Sequence, residues 1–153
     1  MKINDLNPRN DLSTSSTVKV YDRLALLLKE LGTRDLSQET IQSINKELEK
    51  IDQNSGSGRK FKNLIKKKEQ KILEVVTKQE NLFPANYFQS HWMALGMAAI
   101  GLPLGVAFGL ALGNIAFLGI GLPIGLAIGM SLGAEKDKKV KEENRQLNYK
   151  REF

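Results

Sequence analysis

A chain of 153 residues with 23 Lys and Arg, 17 Asp and Glu and no Cys carries a formal charge of +6. This excludes a disulfide framework and any Cys-based metal or redox centre, and it suits contact with an anionic surface. The mean hydropathy of −0.30 is that of an ordinary soluble protein, but it averages a polar N-terminal half with an apolar C-terminal half, so each segment is read separately.

Met1 to Thr17 is polar and contains Pro8. It has no basic stretch followed by an apolar one, so it is not read as a secretory signal; a disordered polar arm, residues 1–17, is expected. From Val18 to Leu31, apolar residues at Val20, Tyr21, Leu24, Leu27, Leu28 and Leu31 fall at helical spacing, and Gly32 is a stop. Asp35 or Ser37 opens a second helix with Ile41, Ile44, Leu48 and Ile51 on one stripe. The stretch Asn54-Ser55-Gly56-Ser57-Gly58 is a connector. A third helix runs from about Arg59 to Glu80 with Phe61, Leu64, Ile65, Ile72, Val75 and Val76 on its apolar side. Residues 18–83 are thus expected to form a small cytosolic three-helix region. So small a core is marginal by itself. Arg59 to Lys71 carries seven Lys or Arg and one Glu. This is a solvated face or, through Lys66, Lys67 and Lys68, a contact for lipid headgroups. Nucleic acid is disfavoured, because no aromatics are interleaved for base stacking.

Between Glu80 and Glu135 there are 54 residues without Asp, Glu, Lys or Arg. That is too long for one buried helix and long enough for two membrane spans of about 20 residues each. Pro84 breaks the chain from the third helix, and Asn86 or Ser90 offers a cap. Tyr87, Phe88 and Trp92 cluster before the first span, where aromatics favour the headgroup level. His91 is the only His, so no metal site is expected. Trp92–Gly113 and Ile115–Ala134 are the spans, each roughly 30 Å long as a helix. Met93–Gly113 holds eight Leu, Ile, Val or Phe and Ile115–Ala134 holds nine. Either span gains very roughly 2.5–5 kcal/mol on insertion before Gly and Pro are discounted, so mutual support as a hairpin is expected. Gly113-Asn114 is the turn signal.

The spans repeat each other at an offset of 20 residues: Gly101-Leu102-Pro103-Leu104-Gly105 matches Gly121-Leu122-Pro123-Ile124-Gly125. Pro103 and Pro123 fall near the bilayer midplane, where each removes a helix hydrogen bond and invites a kink. Glycine recurs every fourth residue at Gly101, Gly105, Gly109 and Gly113, and again at Gly121, Gly125, Gly129 and Gly133. Small-xxx-small spacing lets helix backbones approach closely. Small and large residues also alternate strictly here, which is a strand signal. A barrel hairpin is therefore the alternative, opposed by the poor strand propensity of Gly, Ala and Pro. On helices the alternation leaves a second small face, with Ala107, Ala111 and Ala127, for a neighbouring molecule. Trp92–Gly133 resembles small bacterial membrane proteins of the glycine-zipper family, on the Gly-Leu-Pro-x-Gly and Gly-x-x-x-Gly runs. The resemblance covers about a third of the chain. It implies a membrane location and helix packing, with no catalytic residues to carry over.

After Ala134 a basic cytosolic tail, residues 135–153, is expected, with Lys136, Lys138 and Lys139 near lipid headgroups. The positive-inside bias places both termini in the cytoplasm, in a bacterial inner membrane. The expected architecture is all-α: a small cytosolic helical domain plus a transmembrane helical hairpin with glycine-zipper packing, oligomeric. No nucleophile–base pair, phosphate loop or charge within the spans points to an enzyme or a cofactor. The functional readings are a homo-oligomeric pore-forming effector or small channel, a membrane-anchored adaptor whose cytosolic helices recruit a protein partner, and a membrane-shaping protein.

Overall fold

In the computed structural model, residues 2–7, 9, 12, 14–54, 56 and 58–150 are described. They form two units. The first runs to Phe83 and takes in the stretch from Leu147; the second runs from Pro84 to Gln146.

The first unit contains α1 (Ser15–Gly32), α2 (Gln38–Asp52) and α3 (Arg59–Glu80). The three amphipathic stripes of the sequence become one core. Leu24, Leu27 and Leu31 of α1 meet Ile44, Leu48 and Ile51 of α2 and Phe61, Ile65, Ile72 and Val76 of α3, all buried. α3 packs against both other helices. Ser37 is the N-cap of α2, its side chain accepting from the Thr40 N–H at 3.3 Å. The Glu80 carboxylate reaches the same place, accepting from the Ser37 N–H at 3.0 Å and the Ser37 hydroxyl at 2.6 Å. Hydrogen bonds from Ser37 and Thr40 hold the Glu80 carboxyl below its ordinary pKa. Arg23 of α1 makes a forked pair with the buried Glu69 of α3, at 2.9 and 2.7 Å. Buried Glu47 of α2 is met by Lys50 at 2.8 Å and Lys68 at 2.6 Å.

Within the segment expected as a polar arm, some described residues meet the core. Ile3, Leu6 and Leu12 pack against it. The Asn45 side chain accepts from the Asn4 N–H at 2.8 Å and donates to the Lys2 carbonyl at 3.1 Å. The Tyr21 hydroxyl donates to the Asn7 carbonyl at 2.6 Å, and the Arg9 guanidinium sits 4.5 Å from the Phe61 ring centroid. Three isolated apolar residues carry no periodicity, so the sequence did not reveal them. The basic tail continues a helix to Glu142 and then forms a strand, β2 (Gln146–Lys150). The Leu147 and Tyr149 side chains lie in the first unit's core. Residues 151–153 lie outside the described residues. β2 pairs with β1 (Phe83–Ala85) in a two-stranded sheet, a small addition to an otherwise helical fold.

The second unit is a helical hairpin. Its first arm is α4 (Tyr87–Gly96), a π-helical turn (Met97–Gly101) and α5 (Leu102–Ala111). A 3₁₀ turn (Ile115–Phe117) then leads into α6 (Leu118–Glu142). The strand alternative is excluded: both arms are helical throughout the alternating stretches. Asn81, Asn86 and Asn144 take the left-handed conformation, at φ of 53°, 60° and 55°. Asparagine tolerates this region better than other residues with a side chain, so these positions suit chain reversals.

Candidate functional site

The helical arms Tyr87–Ala111 and Ile115–Glu142 are each long and apolar enough to cross a membrane. What distinguishes them is which residues are buried. Within α4, the π-turn and α5 they are Gly96, Gly101, Gly105 and Gly109; within α6 they are Gly121, Gly125, Gly129, Gly133, Asp137 and Val140. Leu95, Leu102, Val106, Phe108, Leu110, Ile120, Ile124, Ile128 and Leu132 are exposed. A water-soluble protein buries its large apolar side chains and tolerates only scattered exposed ones. Here the polarity is reversed: backbone packs on backbone and the large side chains face out.

Contact is closest at the glycines. A Cβ built on Gly105 would lie 2.9 Å from the Leu118 carbonyl oxygen, and one on Gly133 would lie 2.5 Å from the Gln89 Cα. A Cβ on Gly121 would meet Gly101 and Gly105, on Gly125 it would meet Gly96 and Gly101, and on Gly129 it would meet Trp92. Gly101 therefore sits opposite Gly121, its own counterpart in the 20-residue repeat. The contact of Gly121 with Gly105 is mirrored by that of Gly125 with Gly101. Around this level the two repeats face each other through their glycines. Pro103 and Pro123, two residues further along each arm, lie within about one helical turn of this level.

Gly96 was not singled out in the sequence, because it precedes Gly101 by five residues and breaks the four-residue period. The π-turn absorbs the extra residue. The Leu102 N–H bonds to the Met97 carbonyl, five residues back, and this wider turn returns Gly96 and Gly101 to the same face. The next residue but one toward the turn of the hairpin is Pro103, which has no N–H to give. Gly113, placed with the packing series in the sequence, has another role. It is exposed, at φ 62°, and nothing lies within 4 Å of where a Cβ would stand, so it serves the turn. Asn114 completes that turn, its side chain accepting from the Ala116 N–H at 2.9 Å.

At the other end of the hairpin the sequence expectations converge with one residue it missed. Asn86 precedes α4 without a side-chain cap. The buried Asp137 of α6 supplies one instead, accepting from the Phe88 N–H at 3.0 Å and the Gln89 N–H at 2.8 Å. The carboxylate also complements the positive end of the helix dipole. A lone acid among lysines gave no sequence signal for this. Lys136 lies 4.8 Å from the Trp92 ring centroid and 5.9 Å from that of Phe88, a cation–π arrangement. Tyr87 meets Phe88 edge-on at 5.2 Å, and His91 stacks against Tyr87 at 4.4 Å. Tyr87, Phe88, Trp92 and Lys136 therefore share one level of the hairpin. Lys138 approaches Glu142 at 3.9 Å, and Lys139 is exposed on the same helix. In the first unit Lys66 and Lys67 are exposed, while Lys68 is engaged with Glu47.

Comparison with protein-family models, curated proteins and solved structures finds no match to this chain.

Proposed function

We propose that the chain is an integral membrane protein whose hairpin crosses the bilayer twice and anchors the helical unit at the cytoplasmic surface, where that unit recruits a protein partner. The reversed burial of the hairpin carries the membrane part of this reading: apart from Asn114 at the turn and Ser131, the exposed residues between Met93 and Ala134 are apolar or glycine and need an apolar solvent. The close glycine contacts between its own two arms support a glycine-zipper hairpin within one copy. Its largely apolar exterior, with Ser131 the one polar residue exposed along the arms between Met93 and Ala134, offers little polar lining for a wide aqueous lumen.

The reading is tested by fractionation and by labelling. The protein remains with membranes after carbonate extraction. Because the chain has no Cys, single substitutions Asn114→Cys and Lys19→Cys are the only labelled positions in their variants. In oriented bacterial membranes, an impermeant maleimide reaches Asn114→Cys from the periplasmic side and Lys19→Cys only after lysis. Recovery of the wild-type chain as a detergent-free soluble monomer overturns the reading.

A homo-oligomeric pore or channel is the second reading. It is favoured by the small residues exposed on the outer faces, Pro103, Ala107 and Ala111 on one arm and Gly119, Pro123, Ala127 and Ser131 on the other. Reconstituted protein then releases a small dye from liposomes, and Ala107→Leu with Ala127→Leu abolishes release while the hairpin stays folded. Liposomes that remain tight at every protein density exclude it.

A further inference from the structure

The basic run of α3 is divided by the structure into two sets. Lys68 and Lys71 face Glu47, at 2.6 and 3.6 Å, and Lys78 pairs with Glu74 at 2.7 Å. Arg59, Lys60, Lys66 and Lys67 are exposed and enter none of the ion pairs among the described residues. These four surround one position. On a helix the neighbours of a residue lie three and four places away, and for Asn63 those are Arg59, Lys60, Lys66 and Lys67. Asn63 is itself exposed. Lys62 adds charge at its edge, placed four residues before Lys66 and three after Arg59. Like charges at these spacings weaken a helix, and no carboxylate among the described residues of the first unit pairs with these four to offset them.

We propose that this face, centred on Asn63, docks on the anionic headgroups of a lipid leaflet. The inference rests on the membrane reading above, and the choice of partner has two supports. The face has no exposed aromatic on which bases could stack: Phe61 is buried in the core. Only Pro84–Asn86 separate the first unit from Tyr87, where the hairpin begins. An inserted hairpin therefore holds the unit at a very high local concentration of headgroups, so weak individual attractions add up. Each basic residue at an anionic surface strengthens contact about fivefold. The four cations and Lys62 together are ample for a stable docked state at physiological ionic strength.

The test uses full-length protein carrying Asn63→Cys with a fluorescent label. It is reconstituted in vesicles of phosphatidylcholine, alone or mixed with phosphatidylglycerol. Trp92 is the only Trp, and its emission reports hairpin insertion independently. The expected result is that acrylamide quenching of the label falls in the anionic vesicles, and that the protection is lost in about 1 M salt, where screening length drops to about 3 Å. Reversal of Lys60, Lys66 and Lys67 to Glu should lower the docked-to-free ratio by roughly 100-fold or more. Reversal of the exposed Lys19, Lys29 and Lys46 to Glu is the charge-matched control and should leave the protection in place. Equal quenching in both lipids, with Trp92 inserted, overturns the proposal and leaves the membrane reading standing. Protection by a single-stranded RNA oligonucleotide in neutral vesicles, without protection by anionic lipid, overturns it in favour of nucleic acid. Failure of Trp92 to insert overturns both readings.

Discussion

Two glycines two residues apart in α6 make opposite demands. A Cβ on Gly121 would lie 2.7 Å from the Gly105 Cα, closer than real contacts allow, whereas nothing lies within 4 Å of one on Gly119. Gly121→Ala should force the arms apart and lower the thermal unfolding midpoint of the hairpin in detergent. Gly119→Ala should leave it unchanged or raise it, since Ala favours a helix over Gly by up to about 1 kcal/mol. Equal melting of both variants would mean that close approach does not hold the hairpin. In the first unit Glu47 is the sensitive group. Burial raises its pKa, but hydrogen bonds and charge from Lys50 and Lys68 outweigh that and lower it from 4.5 to about 2. A lowered folded pKa contributes stability above the unfolded value and loses it as pH falls through the folded one. The contribution is therefore complete above about pH 4.5 and fades toward pH 2. Glu47→Gln should be less stable than wild type at neutral pH and should lose less between about pH 5 and pH 2.5. Parallel acid limbs in the two melting curves would assign the acid sensitivity elsewhere.

Among the elements, the π-turn makes an unusual deletion tolerable. Removing Ala98 shortens the step from Gly96 to Gly101 from five residues to four, matching the period on either side. The variant should keep its hairpin as a regular helix. Removing Ala127, between Gly125 and Gly129, should break it, because there the period is already four. Protease protection of the membrane-embedded fragment distinguishes the two, and loss of protection in both would show that the π-turn is needed for more than register. The same elements show what was legible beforehand. α1, α2 and α3 follow from stripes such as Leu24-Leu27-Leu31 and Ile44-Leu48-Ile51, and the hairpin follows from an uncharged run with a Gly-Asn turn. The docking of Ile3, Leu6 and Leu12 and the return of Leu147 and Tyr149 to the core were not legible. Each depends on contacts distant in sequence and leaves no local period. Asp137 was hidden for the same reason, since its partners, the Phe88 and Gln89 amides, lie 49 and 48 residues away.

For the whole molecule, the 20-residue repeat bears on any self-association in the membrane plane. Ala107 and Ala127 hold equivalent places in that repeat and both are exposed, so each arm presents a similar small face. Were copies of the hairpin to associate through both faces, the assembly would propagate instead of terminating at a pair. Crosslinking through Ala107→Cys and Ala127→Cys in one chain should then give an evenly spaced ladder or one closed ring size, and a product that stops at dimer would mean that only one of the faces is used.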